Sequence, residues 1–453
     1  MNLDKLFSLL KKETDECEIF LHETQDLSVS IEQGKPKMSA TNRDTGLAVR
    51  VQKDGKLGFA VSTLPSDFRE IVKAAVEVAE VGKACTFSFA EPPKKNYPDA
   101  PGLDTEPPEL EVTKQTVDDA MAIIRKASQL IEKYDPKVNG TASVARETHR
   151  IRIINSRGVD IDYAKTVHSF GTSASITEDH STFHWARGYT RTRPGFDPEA
   201  IAQNLIEEFS AARTVAGIES KKMPVVFDPC AFADVLCCFT AGINGTSVAR
   251  GISPLVGRRG EKIFSDKLTI TDDPFYPDAV DTAPADDEGT PCKKTVLVEN
   301  GVLKNYLTDL KSASDLKELP STGNGLRNKS IFGWKDYAVV PHVRATTLVI
   351  PGGNVHYGDL IAEIREGLLI YTIPDVWQGN IINGTFTGSV FFGMFIKEGK
   401  LAGRVKGVQI TGNIYDLFQD QLVALSRETD FANMHQNTIV PHALFKDVNV
   451  LTA

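Results

Sequence analysis

No histidine falls between His184 and His342 in this chain of 453 residues. The gap removes imidazole, the commonest protein ligand of catalytic transition metals, from the whole middle of the sequence. Cationic excess is missing too: 51 Lys and Arg stand against 60 Asp and Glu, a net charge of −9. Nucleic-acid affinity rests on clustered cations that displace counterions from phosphates, so direct nucleic-acid binding over a broad surface is excluded. Arg258-Arg259, set among glycines, reads as a solvated turn or an ion-pair partner. Nowhere does an uncharged apolar run reach the ~20 residues that a membrane-spanning helix needs. Met1 to Glu18 alternates charges with Leu3, Leu6, Phe7, Leu9 and Leu10, the pattern of an amphipathic helix and not of an export signal. Cysteine is sparse, at 17, 85, 230, 237, 238 and 292. Reduced thiols and a cytoplasmic location are expected, and there the sequons at Asn139, Asn244, Asn328 and Asn383 carry no glycan.

What is present is ordinary for a water-exposed globular fold: 41% hydrophobic and 25% charged residues. The length exceeds what one core usually organises, so two domains are expected. After the first helix, Cys17 to Leu21 and Leu27 to Ile31 alternate like half-buried strands. Leu47, Val49 and Val51 lead into Lys53-Asp54-Gly55-Lys56, and Leu57, Phe59 and Val61 follow, a hairpin expected to place both apolar sets on one face. Asp67 caps a helix carrying Ile71, Val72, Ala75 and Ala79, with a stop at Gly82. Six prolines between Ala90 and Leu110 predict an extended surface loop. A second long helix starts near Thr113 and ends before Pro136. Strands follow around the Asn155-Ser156-Arg157-Gly158 and Glu178-Asp179-His180 turns, and Asp197-Pro198-Glu199 opens another helix.

The charged stretch Glu219 to Met223 suggests a boundary, giving domains 1–220 and 221–453. Beyond it come Val225 to Phe227, a helix capped by Asp228-Pro229 and stopped at Gly242, and strands at Ala338 to Ile350, Leu368 to Ile373, Ser389 to Ile396 and Leu401 to Ile410. Few helices separate them. The expected class is therefore α+β, two domains each with a mixed or antiparallel sheet and flanking helices.

One stretch concentrates the signals. Asp286-Asp287-Glu288-Gly289 forms an acidic turn, Thr295 to Val298 and Val302 to Leu307 make a hairpin across Asn300-Gly301, and Ser321-Thr322-Gly323-Asn324-Gly325 closes it with a glycine loop. This succession, with Val225-Val226-Phe227-Asp228-Pro229, Thr387-Gly388-Ser389 and Gly412-Asn413-Ile414 on either side, resembles the TldD/PmbA family, described as a modulator of DNA gyrase and as a metalloprotease. The resemblance is firm over the C-terminal half and looser before it.

In the TldD type of that family, the helix after the Val-Val-Phe-like strand carries a His-Glu pair and a further metal ligand, one turn apart so that they share one ion. Here that helix reads Phe232-Ala233-Asp234-Val235-Leu236-Cys237-Cys238-Phe239-Thr240, without histidine. The resemblance therefore implies the PmbA/TldE branch: no cofactor in this chain, zinc in a TldD-type partner, a dimer with that partner or with itself, and a peptide substrate. Rival readings are an autonomous peptidase with an unrecognised site, and a homodimeric peptide-binding protein without enzymatic activity.

Other constellations are weaker. His22-Glu23 lacks a second histidine and reads as a surface pair. His180 and His184, on extended backbone, stand ~13 Å apart, too far to share an ion. His342, His356, His435 and His442 are scattered among loops and strand ends. Cys237 and Cys238 point about 100° apart on a helix and are expected to pack. The carboxylates of Asp286, Asp287 and Glu288 are expected to hold backbone N–H groups or a loop arginine; they lack calcium-loop spacing. Gly245-Thr246-Ser247-Val248-Ala249 lacks the strand and closing glycine of a nucleophile elbow, and Gly352-Gly353 lacks the lysine of a phosphate loop.

Overall fold

The computed structural model describes residues 2–63, 67–104, 114–178, 181–317, 319–327, 336–432 and 436–452. The turn residues Asp179 and His180, the helix start at Thr113, the second half of the proline-rich loop, Asn328 and His435 lie outside them. Two large sheets organise the α+β fold.

The first sheet uses β1 (Glu16–Glu32), β2 (Lys35–Lys53), β3 (Lys56–Ser62), β4 (Leu103–Asp104), β5 (Asn139–Asn155), β6 (Asp160–Glu178) and β7 (Ser181–Arg191). Its order is β3-β2-β1-β5-β6, with β4 and β7 both paired to β6. One face carries Cys17, Ile19, Leu21, Leu47, Val49 and Val51, and packs on α1 (Leu3–Glu13) and α2 (Phe68–Glu80) through Leu6, Leu10, Ile71 and Ala75. Asp67 caps α2 by accepting from the Arg69 N–H. Further along the same side lie α3 (Lys114–Tyr134) and α4 (Pro198–Ala211). The other face carries Phe20, Ala48, Ile151, Ile153 and Ile161 and meets Ala285 and Tyr337 of the second half.

The β2–β3 hairpin departs from expectation. Its two-residue turn pairs Lys53 with Lys56, so Phe59 lies opposite Arg50 and Val61 opposite Ala48. Residues directly opposite share a face. Leu47, Val49 and Val51 therefore face the helices while Phe59 faces the second half, and Gly58 and Ala60 complete the helix-facing side.

The second sheet is mixed. It uses β8 (Lys221–Phe227), β9 (Ile270–Asp272), β10 (Thr295–Glu299), β11 (Val302–Leu303), β12 (Gly325–Leu326) and β13 (His342–Val343) as a separate pair, β14 (Thr347–Val349), β15 (Glu366–Thr372), β16 (Thr385–Ser389), β17 (Phe392–Lys397), β18 (Lys400–Arg404), β19 (Val408–Asn413), β20 (Leu422–Ala432) and β21 (Asn437–Thr452). β8 runs parallel to β15 and antiparallel to β21. After β8, the Asp228 carboxylate caps α5 (Pro229–Ile243), which is buried almost all round against Phe418 and Phe445. The Asn300-Gly301 turn has φ of 47° and 80°, the conformation the dipeptide favours.

Several strands are shorter than their apolar runs. Val302 to Leu307 keeps strand geometry only to Leu303, because the Lys304 N–H turns to the Leu297 carbonyl and the Leu307 N–H to Ile243. The Ala338 to Ile350 run breaks into a single helical turn and two short strands. Pro341 supplies no donor there, and the Thr346 N–H turns to the Asp272 carboxylate. The closing β20–β21 hairpin was not expected; Pro441, opposite Thr429, disguises it as a non-strand.

Candidate functional site

The acidic turn and the glycine loop, 32 residues apart from Gly289 to Ser321, form one knot. Asp286 Oδ1 accepts from the N–H groups of Glu288 (3.1 Å) and Thr290 (2.9 Å), and Oδ2 from that of Gly325 (2.9 Å). Asp287 Oδ2 accepts from the Arg327 N–H at 2.6 Å, and the Asp287 N–H donates to Gly325 O at 3.0 Å. Glu288 accepts at Oε2 from the Leu310 N–H and at Oε1 from Arg50 Nη1, both 2.8 Å. Gly325 must be glycine: a Cβ there would lie 2.3 Å from Glu288 Oε2. Gly289 and Gly323 have φ of 80° and 76°, which glycine adopts without strain.

The glycine loop is tied just as closely. The Ser321 hydroxyl receives the Gly323 N–H, and the Thr322 hydroxyl donates to Asn324 Oδ1 at 2.7 Å. Asn324 Nδ2 donates to Asp272 Oδ2 at 2.7 Å. Burial raises Asp286 well above the usual carboxylate range and moves Asp272 and Asp287 up to about 6. These oxygens point at the protein's own donors, which gives the turn a structural role.

Arg50, on β2, joins this knot to the first sheet. Its Nε and Nη2 donate to Glu18 at 2.8 and 2.7 Å, and its Nη1 holds Glu288. Arg327 lies over the Phe20 ring at 4.4 Å, and burial together with the Arg50 charge pulls it down to about 10. Neither arginine was singled out in the sequence. The available signal was Glu18, a charge inside the apolar run Cys17 to Leu21, which had to meet a cation.

His22 is buried, contrary to its reading as a surface residue. It faces the second half, next to Phe20 and Ile151, and its Nε2 stands 3.1 Å from His149 Nδ1. Its even position on β1 puts it on the side of the sheet that meets Ala285 and Tyr337. His149 Nε2 reaches Glu147 at 3.3 Å. These groups line a cavity of about 370 Å³ with Lys165 and Asp281. The ammonium of Lys165 is already held by the carbonyls of Val280 and Thr282.

On α5, Cys238 is buried and Cys237 half-buried, with sulfurs 3.9 Å apart. The contact with Cys238, then burial, pushes the Cys237 thiol up. Asp234, one turn earlier, accepts at Oδ2 from the Ile373 N–H (2.8 Å) and the Thr372 hydroxyl (3.1 Å). One turn after Cys238, a Cβ on Gly242 would lie 1.9 Å from the Tyr415 hydroxyl oxygen. Among the described residues no three His, Cys, Asp or Glu side chains converge as a metal site would require. His342 and His356 are exposed; His442 lies against Tyr357, with ring centroids 4.0 Å apart and tilted by 33°, and stands 3.6 Å from Asp228.

The sheet-and-helix plan now has counterparts. Residues 220–452 match the family model for the PmbA/TldA metallopeptidase C-terminal domain, 17–79 that for domain 1, and 111–216 that for the central domain. The chain belongs to the PmbA/TldA metallopeptidase family. It is 30% identical to an uncharacterized protein of Methanocaldococcus jannaschii, over 93% of this chain and 94% of that one. It is 24% identical to the metalloprotease PmbA of Escherichia coli O157:H7, over 91% and 88%. The crystal structure of TldE from Thermococcus kodakarensis superimposes with a TM-score of 0.84 at 26% identity, covering 99% of both chains. No helix among the described residues is long and apolar enough to cross a membrane.

Proposed function

We propose that this chain is a cytoplasmic, PmbA/TldE-type subunit of a TldD/TldE-type metallopeptidase acting on small or unfolded peptides, and that it carries no metal itself. It dimerises with a TldD-type subunit or with its own kind. The partner supplies the zinc; this chain supplies walls that hold and align the peptide.

The observation that carries this reading is the donor set of α5. A catalytic zinc needs three nitrogen, sulfur or oxygen ligands around an open position. Along its length α5 offers the adjacent thiols of Cys237 and Cys238, with ionisation of Cys237 opposed by the contact with Cys238 and by burial, a carboxylate turned away to Thr372 and Ile373, and Gly242. Tyr415 fills the space that any side chain at 242 would occupy. These residues do not fit a zinc ion, and no step of a hydrolysis is assigned to them.

The test is elemental analysis of the purified chain together with digestion of an unfolded peptide, alone and with a TldD-type protein captured from the same cell. Zinc well below one equivalent and turnover only in the mixture are expected. Stoichiometric zinc with turnover by the lone chain overturns the reading in favour of an autonomous peptidase. A homodimer that captures no such protein and never supports turnover favours a binding protein.

A further inference from the structure

A cleft of about 660 Å³ opens away from the knot, over the far end of the first sheet, a volume within the range of small-ligand sites. Its floor is one face of three strands. Thr141 pairs with Ser173 and Ser173 with Ala186, while Ser143 pairs with Gly171 and Gly171 with Gly188, so these six small residues share a side. The opposite lip includes Pro374, Phe391 and Phe431. Phe391 is 57% exposed, a large apolar surface turned to water over the cleft. Along one wall runs β7, which among the described residues pairs only with β6 and leaves its other edge open.

The inner end lies where the parallel strands β8 and β15 finish, the place where open mixed sheets commonly bind ligands. Asp228 and Asp430 stand there, with Arg187. Arg187 is engaged twice over: Nε donates to Glu208 at 2.8 Å, and Nη2 faces both Glu208 and Asp228. Among the described residues Asp430 receives neutral donors, the Tyr189 hydroxyl at 2.9 Å and the Phe431 N–H at 2.8 Å. Arg191 lies over the Tyr189 and Phe431 rings and makes no ion pair with Asp430 among the described residues. Asp228 and Glu208 share Arg187, and His442 stands 3.6 Å from Asp228, whereas half-buried Asp430 has no cation bonded to it among the described residues, a position that a ligand's cation would stabilise.

We infer that this cleft holds the ammonium-bearing end of a short apolar peptide, with the ammonium against Asp430, the adjoining apolar side chain between the small-residue floor and Phe391, and the backbone along the open edge of β7. A carboxylate or phosphate ligand is disfavoured by the acidic inner end. The open strand edge favours a peptide over a free amine, because an extended backbone gains ladder hydrogen bonds there. The inference rests on the peptide-holding role proposed above and adds which end of the peptide is recognised.

The test is calorimetric titration of the full chain with Phe-Ala-Ala-Ala-amide, its N-acetyl form, and N-acetyl-Lys-Ala-Ala-Ala-amide. Acetylation of the Phe-headed peptide is expected to weaken binding at least tenfold. Asp430→Asn should weaken the free-amine peptide by the same factor and leave the acetylated one unchanged. Gly171→Leu should abolish binding of both; its added Cβ meets only Ser143 Oγ, at 3.5 Å, so the strand accommodates it. Recovered affinity in the acetylated Lys peptide supports the ammonium site with a side chain as its source. Equal affinity for free and acetylated Phe peptides, or an Asp430→Asn variant that binds like the wild type, overturns the inference while leaving peptide holding intact. Loss of all peptide binding beside full partner-dependent turnover overturns it and spares the subunit assignment.

Discussion

Arg50 shows how one buried side chain sets the relation between two halves of the chain. Its guanidinium is fully buried, yet the charges of Glu18 and Glu288 outweigh the desolvation that opposes it and hold it protonated. Removing one partner of a buried ion cluster leaves uncompensated charge and typically costs ~3–5 kcal/mol. Arg50→Met should therefore lower stability by about that amount in guanidinium denaturation, with Glu18→Gln costing less because one carboxylate remains paired. A loss below ~1 kcal/mol would mean that the two carboxylates are satisfied without it. Asp234 supplies a pH dependence of its own. Burial, aided by the Asp228 charge, moves it from 3.8 to about 7. A raised folded-state value means that the folded form binds the proton more tightly. The contribution is complete below the unfolded value of 3.8 and is lost as pH rises through about 7, with a limiting slope of ~1.4 kcal/mol per unit. Asp234→Asn should remove this slope from a stability profile taken between pH 4 and pH 8, and an unchanged profile would refute the assignment.

At the scale of elements, α5 is where the sequence was most legible. Its cap at Asp228 and its apolar faces follow from local chemistry, and the structure has both, while the expected stop at Gly242 fails: the helix runs through Gly242 to Ile243 and ends at Asn244. What local chemistry does not show is the reason for glycine at 242, because Tyr415 comes from 173 residues further on. Gly242→Ala should destabilise the protein by ~1–3 kcal/mol through overpacking. Tyr415→Phe removes the oxygen and leaves the nearest ring carbon, Cζ, 3.2 Å from the new Cβ, so the double variant should recover most of the lost melting temperature. Failure of the second change to rescue the first would show that the cost arises elsewhere. The same division explains the β2–β3 hairpin: alternation identified both strands, while the facing of Phe59 depended on a turn of two residues and could be read only by counting across it. His22 is the sharper case. Its neighbours in sequence suggested a surface, yet it is buried on the face shared with Ala285 and Asp336, beside His149.

For the whole molecule, the consequence of the knot is cooperativity. The face of the first sheet bearing Phe20, Ile151, Ile153 and Ile161 is apolar and is covered by Ala285 and Tyr337 of the second half. At its edge, Arg50 spans both halves by ionic hydrogen bonds that are stronger in a buried site than in water. Gly46 shows how close the approach is, since a Cβ there would fall 1.7 Å from a Tyr337 ring carbon. Halves joined through so much buried surface should not unfold independently. The intact chain is expected to give one thermal transition, with calorimetric and van't Hoff enthalpies equal. Arg50→Met combined with Gly46→Leu should lower that transition without splitting it: the first change removes the ionic joint and the second wedges its apolar neighbour apart, but Phe183 and Trp185 of the first half stay packed on Tyr371 and Phe392 of the second. Two resolved transitions, in the unaltered protein or in the double variant, would place the joints among weak contacts and show that each half stands on its own core.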